Sequence, residues 1–153
     1  MPRFSPSPAT ADQIPDGAHV FKVISAKEKV SERTGYPMIA MRLETPAGQR
    51  ISCLLTFCTA AEKVISAFCS SCGLLMPTAP DLEAVLEPQH VLGRYVFAIV
   101  RSESENPTSE PAPRISRFIS KAVALKMAPH LARIPLRELE PVTLPIVRKS
   151  SFS

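Results

Sequence analysis

The sequence predicts a mostly-β domain with one main helix, its elements in the order β-β-β-α-β-β. Three observations predict it. Alternating, β-branched segments fill residues 19–57, one helix-period stripe occupies 59–73, and two further strand-like segments follow at 95–100 and 114–120. That order is what a five-stranded OB-fold barrel requires: strands one, four and five close the wall, and the helix after strand three plugs an end. A β-sandwich needs more strands and no central helix, and a ferredoxin-like fold needs a helix after its first strand.

Each element follows from local chemistry. Ile14–Gly17, IPDG, is a turn that feeds the strand His19–Val30, long enough to bend and serve two sheets. Regular alternation there sets Phe21 and Val23 against Val20, Ile24 and Ala26. Ser31–Pro37 is a polar loop, Met38–Thr45 a second strand, PAGQ a hairpin turn, and Arg50–Phe57 a third strand. Thr59 with Glu62 three residues on reads as a capping box. Ala61, Val64, Ile65, Phe68, Cys69 and Cys72 then form one apolar helical stripe, ended by Gly73. Asp81–Leu86 reads as a second short helix. Tyr95–Val100 is a dense strand, residues 102–113 a polar loop, and Arg114–Ser120 the fifth strand, with Ile115 and Arg117 opposed to Ser116 and Phe118.

The segments flanking this core differ from it. Residues 1–13 are rich in Pro, Ser and Ala and are expected to be a disordered tail; 14–120 is the OB-fold domain; 121–153 is a C-terminal extension. Pro129, Pro135, Pro141 and Pro145 forbid a long helix there, yet Leu131, Ile134, Leu136, Leu139, Val142, Leu144, Ile146 and Val147 are too apolar for a linker. The extension is expected either to pack back on the barrel or to dock on a partner, or to be partly disordered.

Of 153 residues, 45% are hydrophobic and 21% charged, a globular composition. No apolar run reaches membrane-spanning length, and the first residues lack the apolar core of a secretory signal. Both point to the cytoplasm. Residues 1–120 hold 12 basic and 12 acidic side chains, so the net charge of +4 resides entirely in 121–153. Such a segment suits a polyanion, or simply solubility.

Cys53, Cys58, Cys69 and Cys72 raise the question of zinc or redox chemistry. Cys69 and Cys72 share the apolar stripe and end the helix, where the dipole disfavours a thiolate. Cys53 and Cys58 are an odd number of residues apart on or just past one strand, which sends them to opposite faces. Cys69 and Cys72 are expected to be packing residues, and Cys53 and Cys58 cannot then hold one ion together, so no metal and no cofactor are expected. His19, His90 and His130 are scattered, and neither a phosphate-binding loop nor a nucleophile motif is present, so no enzyme is expected.

The stretches IPDGAHVFKVISAKEKVSERTGYPMIAMRLET, LTFCTAAEKVISAFCSSCGL and LGRYVFAIVRSE resemble a phage and prophage family of unknown biochemical function. That family is of predicted OB-fold and similar to single-stranded-DNA-binding proteins. The resemblance rests on Gly17, Lys27 with Lys29, Gly35–Tyr36–Pro37–Met38, Gly73 and Leu92–Gly93–Arg94, and spans residues 14–120. It implies an accessory role in phage or mobile-element DNA replication or recombination. Bacterial single-stranded-DNA-binding proteins usually end in an acidic tail, whereas this chain ends in the basic RKSSFS. It also has no Trp, two Tyr and seven Phe.

An OB-fold presents strands 2 and 3 and the loops after strands 1 and 4 to its ligand. The residues so placed are Lys27, Lys29, Arg33, Tyr36, Arg42, Arg50, Arg114 and Arg117. Cations would hold phosphates, and Tyr36 would stack on a base. The competing reading is a solvated edge in which Glu28 and Glu32 cancel their neighbours, beside a loop made acidic by Glu103, Glu105 and Glu110. Two functions follow: non-sequence-specific single-stranded DNA binding, or a protein-interaction module docking through the barrel and the extension. In the second, the partner is a replication or recombination protein or another copy, and a phage anti-defence role belongs to the same class.

Overall fold

The computed structural model describes residues 14–76, 82–104, 107–108 and 111–148; the expected N-terminal tail lies outside them. Five long strands form one antiparallel sheet: β1 Gly17–Val30, β2 Pro37–Glu44, β3 Arg50–Thr56, β6 Tyr95–Glu103 and β7 Ala112–Ile119, in the order β3-β2-β1-β6-β7. Between β3 and β6 come α1 Glu62–Cys72, the short strands β4 Leu74–Leu75 and β5 Leu82–Ala84, and one helical turn, α2 Pro88–Val91. After β7 follow α3 Lys121–Met127, a 3-10 turn at Pro129–Arg133, and the short strands β8 Val142–Thr143 and β9 Ile146–Arg148.

The sheet is not closed into a barrel. Its edge strands β3 and β7 share no ladder, although some of their Cα atoms come within 8 Å. α1 packs against β6 and β7, with Phe68 meeting Phe118 edge to face at 5.0 Å. Side chains rather than backbone pairing therefore hold that side of the sheet.

Two bulges decide which residues face inward. In the β1–β2 ladder Val23 faces Leu43 but Ser25 faces Arg42, so Ile24 is an extra residue on β1. The parity of the strand flips there. Phe21 and Val23 enter the core before the bulge, and Ala26 packs against that same core after it, where unbroken alternation would have turned Ala26 away. In the β6–β7 ladder Ile99 faces Arg117 and Val100 faces Ile115, which makes Ser116 the extra residue. Ile115 and Phe118, expected on opposite faces, thus join one core.

α1 packs chiefly through its second half. Phe68, Cys69, Ser71 and Cys72 are buried, while Val64, expected on the stripe, is 49% exposed because the first turn runs past the core. The helix enters through a 3-10 turn at Thr59–Ala61, so its N-cap is Ala61 without a side-chain cap, rather than a Thr59–Glu62 box. Gly73 ends it in the left-handed region at φ 79°, as its position predicts. Buried Ser71 bonds both backbone groups of one strand residue: its hydroxyl donates to the Phe97 carbonyl at 3.0 Å and accepts from the Phe97 N–H at 2.8 Å.

The helix expected at Asp81–Leu86 is a correction. Leu82–Ala84 is extended and pairs with β9, and the helical turn comes later, at Pro88, where proline suits a first helical position. The pairing partner is more than sixty residues away, so no local pattern announces it.

The extension packs on the sheet in two places. Ser120 caps α3, its hydroxyl accepting from the Val123 N–H at 3.2 Å. Ala124 and Leu131, with Leu125, Ile134 and Leu136, cover Ala18, Val20, Phe97, Ile99 and Ile119 on the outer face of β1, β6 and β7. Further on, β8 runs parallel to β4, β9 antiparallel to β5, and Leu144 enters the main core.

Candidate functional site

The bulge at Ile24 builds the site. By simple alternation Lys27 and Lys29 would share the face of Phe21 and Val23, which is the core. After the bulge they instead face Ala40 and Met38 across the ladder and turn outward. Directly opposed residues share a face, so β1, β2 and β3 contribute four outer rows: Lys22–Glu44–Arg50, Ser25–Arg42–Ser52, Lys27–Ala40–Leu54 and Lys29–Met38–Thr56. Lys27, Lys29, Arg42 and Arg50 are thereby gathered on one exposed face.

The charge balance of this face differs from that of its segments. Glu28 pairs with Ile39, a core residue, and so stands on the other side of β1 from Lys27 and Lys29. The expected cancellation by Glu28 does not occur on the outer face. Five cations there meet one carboxylate, Glu44, which bonds Arg50 Nε at 3.0 Å. Arg42 lies between Ser25 and Ser52.

Arg33 and Tyr36 lie in the loop at the Lys29 end of these rows. The loop is knotted by its own hydrogen bonds: Gly35 N–H to Ser31 O at 2.7 Å, Ser31 N–H to Tyr36 O at 2.9 Å, and Thr34 N–H to Ser31 Oγ at 3.2 Å. Gly35 sits at φ 76°, a conformation costly for a residue with a side chain. This tight turn holds Tyr36 with 46% of its surface exposed.

Arg114 and Arg117 lie apart from this group. Both are exposed on β7, at the other end of the strand order, and α3 with the 3-10 turn covers outer-face residues of β1 and β6 in between. Arg114 stands opposite Arg101, a cation the sequence reading did not single out. Lys22 and Leu54 were also missed. Both were legible: Lys22 interrupts the alternation of Phe21 and Val23, and Leu54 is out of step with Ile51, Cys53 and Leu55, which face the core. Leu54 is 56% exposed amid the cations.

Cys53, Cys69 and Cys72 have the surroundings of packing residues. Burial pushes the Cys69 thiol up to about 11 and the Cys72 thiol up to about 12, the latter with a contribution from Cys69 beside it. Cys53, which packs against the same core, is likewise pushed up to about 11 by burial. All four thiols are free, and among the described residues no three His, Cys, Asp or Glu side chains converge on a common point. His90 is occupied in α2, where its Nδ1 accepts from the Glu87 N–H at 2.9 Å.

No protein-family model matches the chain, and no curated protein matches it. Among the described residues no helix is long and apolar enough to cross a membrane.

Proposed function

We propose that the chain binds single-stranded DNA without sequence specificity, through the outer face of β1, β2 and β3, as an accessory protein of phage or mobile-element replication or recombination. The observation that carries this reading is the ladder register that sets Lys22, Lys27, Lys29, Arg42 and Arg50 on one face with Glu28 turned away. A row of cations along a sheet holds phosphates and releases counterions. Ala40, Met38 and Leu54 give bases an apolar floor, and Tyr36 gives one a stacking partner.

The fold supports the reading in its finer form, an OB-fold. β1 pairs with β2 and β6, β6 pairs with β7, and α1 follows β3, which is the connectivity of a partly open five-stranded barrel. Lys27, Lys29, Arg33, Tyr36, Arg42 and Arg50 form the main site; Arg114 and Arg117, with Arg101, belong to a separate stretch of β6 and β7 that a longer strand would reach.

Titration of a fluorescent oligonucleotide at several salt concentrations tests the proposal. With four phosphates held, log Kd against log salt should have a slope of magnitude about 3, at about 0.7 per contact. Absence of binding at low salt, or binding indifferent to salt, ends it.

One observation favours a second reading, docking of a protein partner. Leu75, Met76, Leu139, Val142, Ile146 and Val147 are each at least 41% exposed and lie on or beside β4, β8 and β9. Mutating Ile146 and Val147 to Ser together, with DNA affinity and oligomeric state measured in parallel, separates the two. A lost oligomer with DNA binding intact favours docking.

A further inference from the structure

Residues 139–148 run across the ends of α1 and α2 as a strap. The Val142 N–H donates to Gly73 O at 3.1 Å, the Leu144 N–H to Leu75 O at 2.8 Å, and the Val85 N–H to Pro145 O at 2.8 Å. The strap passes close over two left-handed glycines. A Cβ on Gly73 would lie 3.9 Å from Pro141 Cα, and one on Gly93 would lie 3.9 Å from Leu139 Cδ1. Only two residues of β8 and three of β9 enter ladders, and among residues 139–147 only Leu144 is buried.

Beneath the strap is Arg94, 5% exposed. Its Nε donates to His90 O at 2.8 Å, and its Nη1 donates to Cys72 O at 3.2 Å and to Glu140 O at 3.1 Å. One guanidinium therefore joins the end of α1, the end of α2 and the strap. Among the described residues it bonds no carboxylate. Carbonyl dipoles balance its charge instead, that of Cys72 carrying the negative end of α1. A rigid, many-donor fork is needed to serve three acceptors in different directions, which a lysine ammonium cannot reproduce.

We infer that Arg94 is a clip for the C-terminal strap, and that the strap opens as a unit ahead of the sheet. A segment with so few ladder bonds and one buried anchor falls at the low end of local stability, while β1 and β2 hold their place through paired ladders on both sides. Opening withdraws Leu144 from the core and bares Leu74 and the Gly73 turn, to which the strap is bonded.

Native-state hydrogen exchange on the full chain tests this, with the amides of Val142, Leu144 and Val85 as strap reporters and those of Ile39 and Leu43 as sheet reporters. In the wild type under low urea, the strap reporters should exchange together and at least about tenfold faster than the sheet reporters, by an opening that urea promotes less steeply than it promotes global unfolding. Arg94→Met and Arg94→Lys should each speed the strap reporters by a further factor of about ten, with Ile39 and Leu43 changed much less. Two outcomes overturn the inference: strap and sheet reporters exchanging at one rate in the wild type, or both accelerating equally in the variants. The wild-type measurement decides whether the strap opens first, and unchanged strap reporters in either folded variant would refute the role of Arg94.

Discussion

Arg42 stands directly opposite Ser25 across the β1–β2 ladder, one step past the extra residue Ile24. That register is the origin of the basic face. It turns Lys27 and Lys29 outward beside Arg42 and Glu28 the other way, so residues adjacent in sequence make unequal contributions to any polyanion site.

The face should be separable by charge removal. Lys27→Gln and Arg42→Gln are each predicted to weaken oligonucleotide binding and lower the magnitude of the salt slope by about 0.7. Glu28→Gln, which alters charge on the other side of the strand, should leave the slope unchanged. Arg50→Gln should do less than Arg42→Gln, because Glu44 already engages Arg50. Equal effects from Glu28→Gln and Lys27→Gln would contradict the assigned register.

Removing the bulge should spare the face. Deletion of Ile24 joins Val23 to Ser25 in unbroken alternation opposite Leu43 and Arg42, which keeps Lys27 and Lys29 outward and Ala26 toward the core. Urea denaturation should show a folded protein that has lost about 0.5–3 kcal/mol, with the salt slope of oligonucleotide binding unchanged. Loss of the fold or of the salt slope would contradict the assignment of Ile24 as the extra residue.

Ser71 offers a test of packing. Ser71→Ala removes the hydroxyl that satisfies both the N–H and the carbonyl of Phe97 in a buried place, and the alanine fits the space. Leaving those groups unpaired should cost about 1–3 kcal/mol by urea denaturation. A neutral result would show that the Phe97 groups find other partners.

Alkaline pH should destabilise the protein through its thiols. In the fold Cys69 is raised to about 11 and Cys72 to about 12 by burial, against 9.0 for the ordinary thiol. A raised pKa means that the folded state holds its proton longer than the unfolded chain. The stabilisation is therefore complete below pH 9 and is lost as pH rises from there toward 11 and 12. Between pH 9 and 10 the two thiols together should remove about 2 kcal/mol, read as a falling urea midpoint. A midpoint flat across that interval would show that the thiols ionise freely in the fold.

Local chemistry alone determined much of this protein. Period-2 and period-3.6 patterns located all five long strands and α1, Gly73 marked the helix end, and the stripe position of Cys69 and Cys72 announced their burial. The eight candidate binding residues were legible as exposed cations and one aromatic. Tertiary structure decided what they form together. An extra residue such as Ile24 or Ser116 carries no local signature, because a bulge is chosen by how two strands share a core and a twist. The same holds for Leu82–Ala84, whose extended state depends on the distant β9, and for Arg94, whose buried charge is tolerated only where three carbonyls from separate segments meet. Sequence specified which residues alternate; the packing of strands far apart in the chain decided which side of the sheet each one faces.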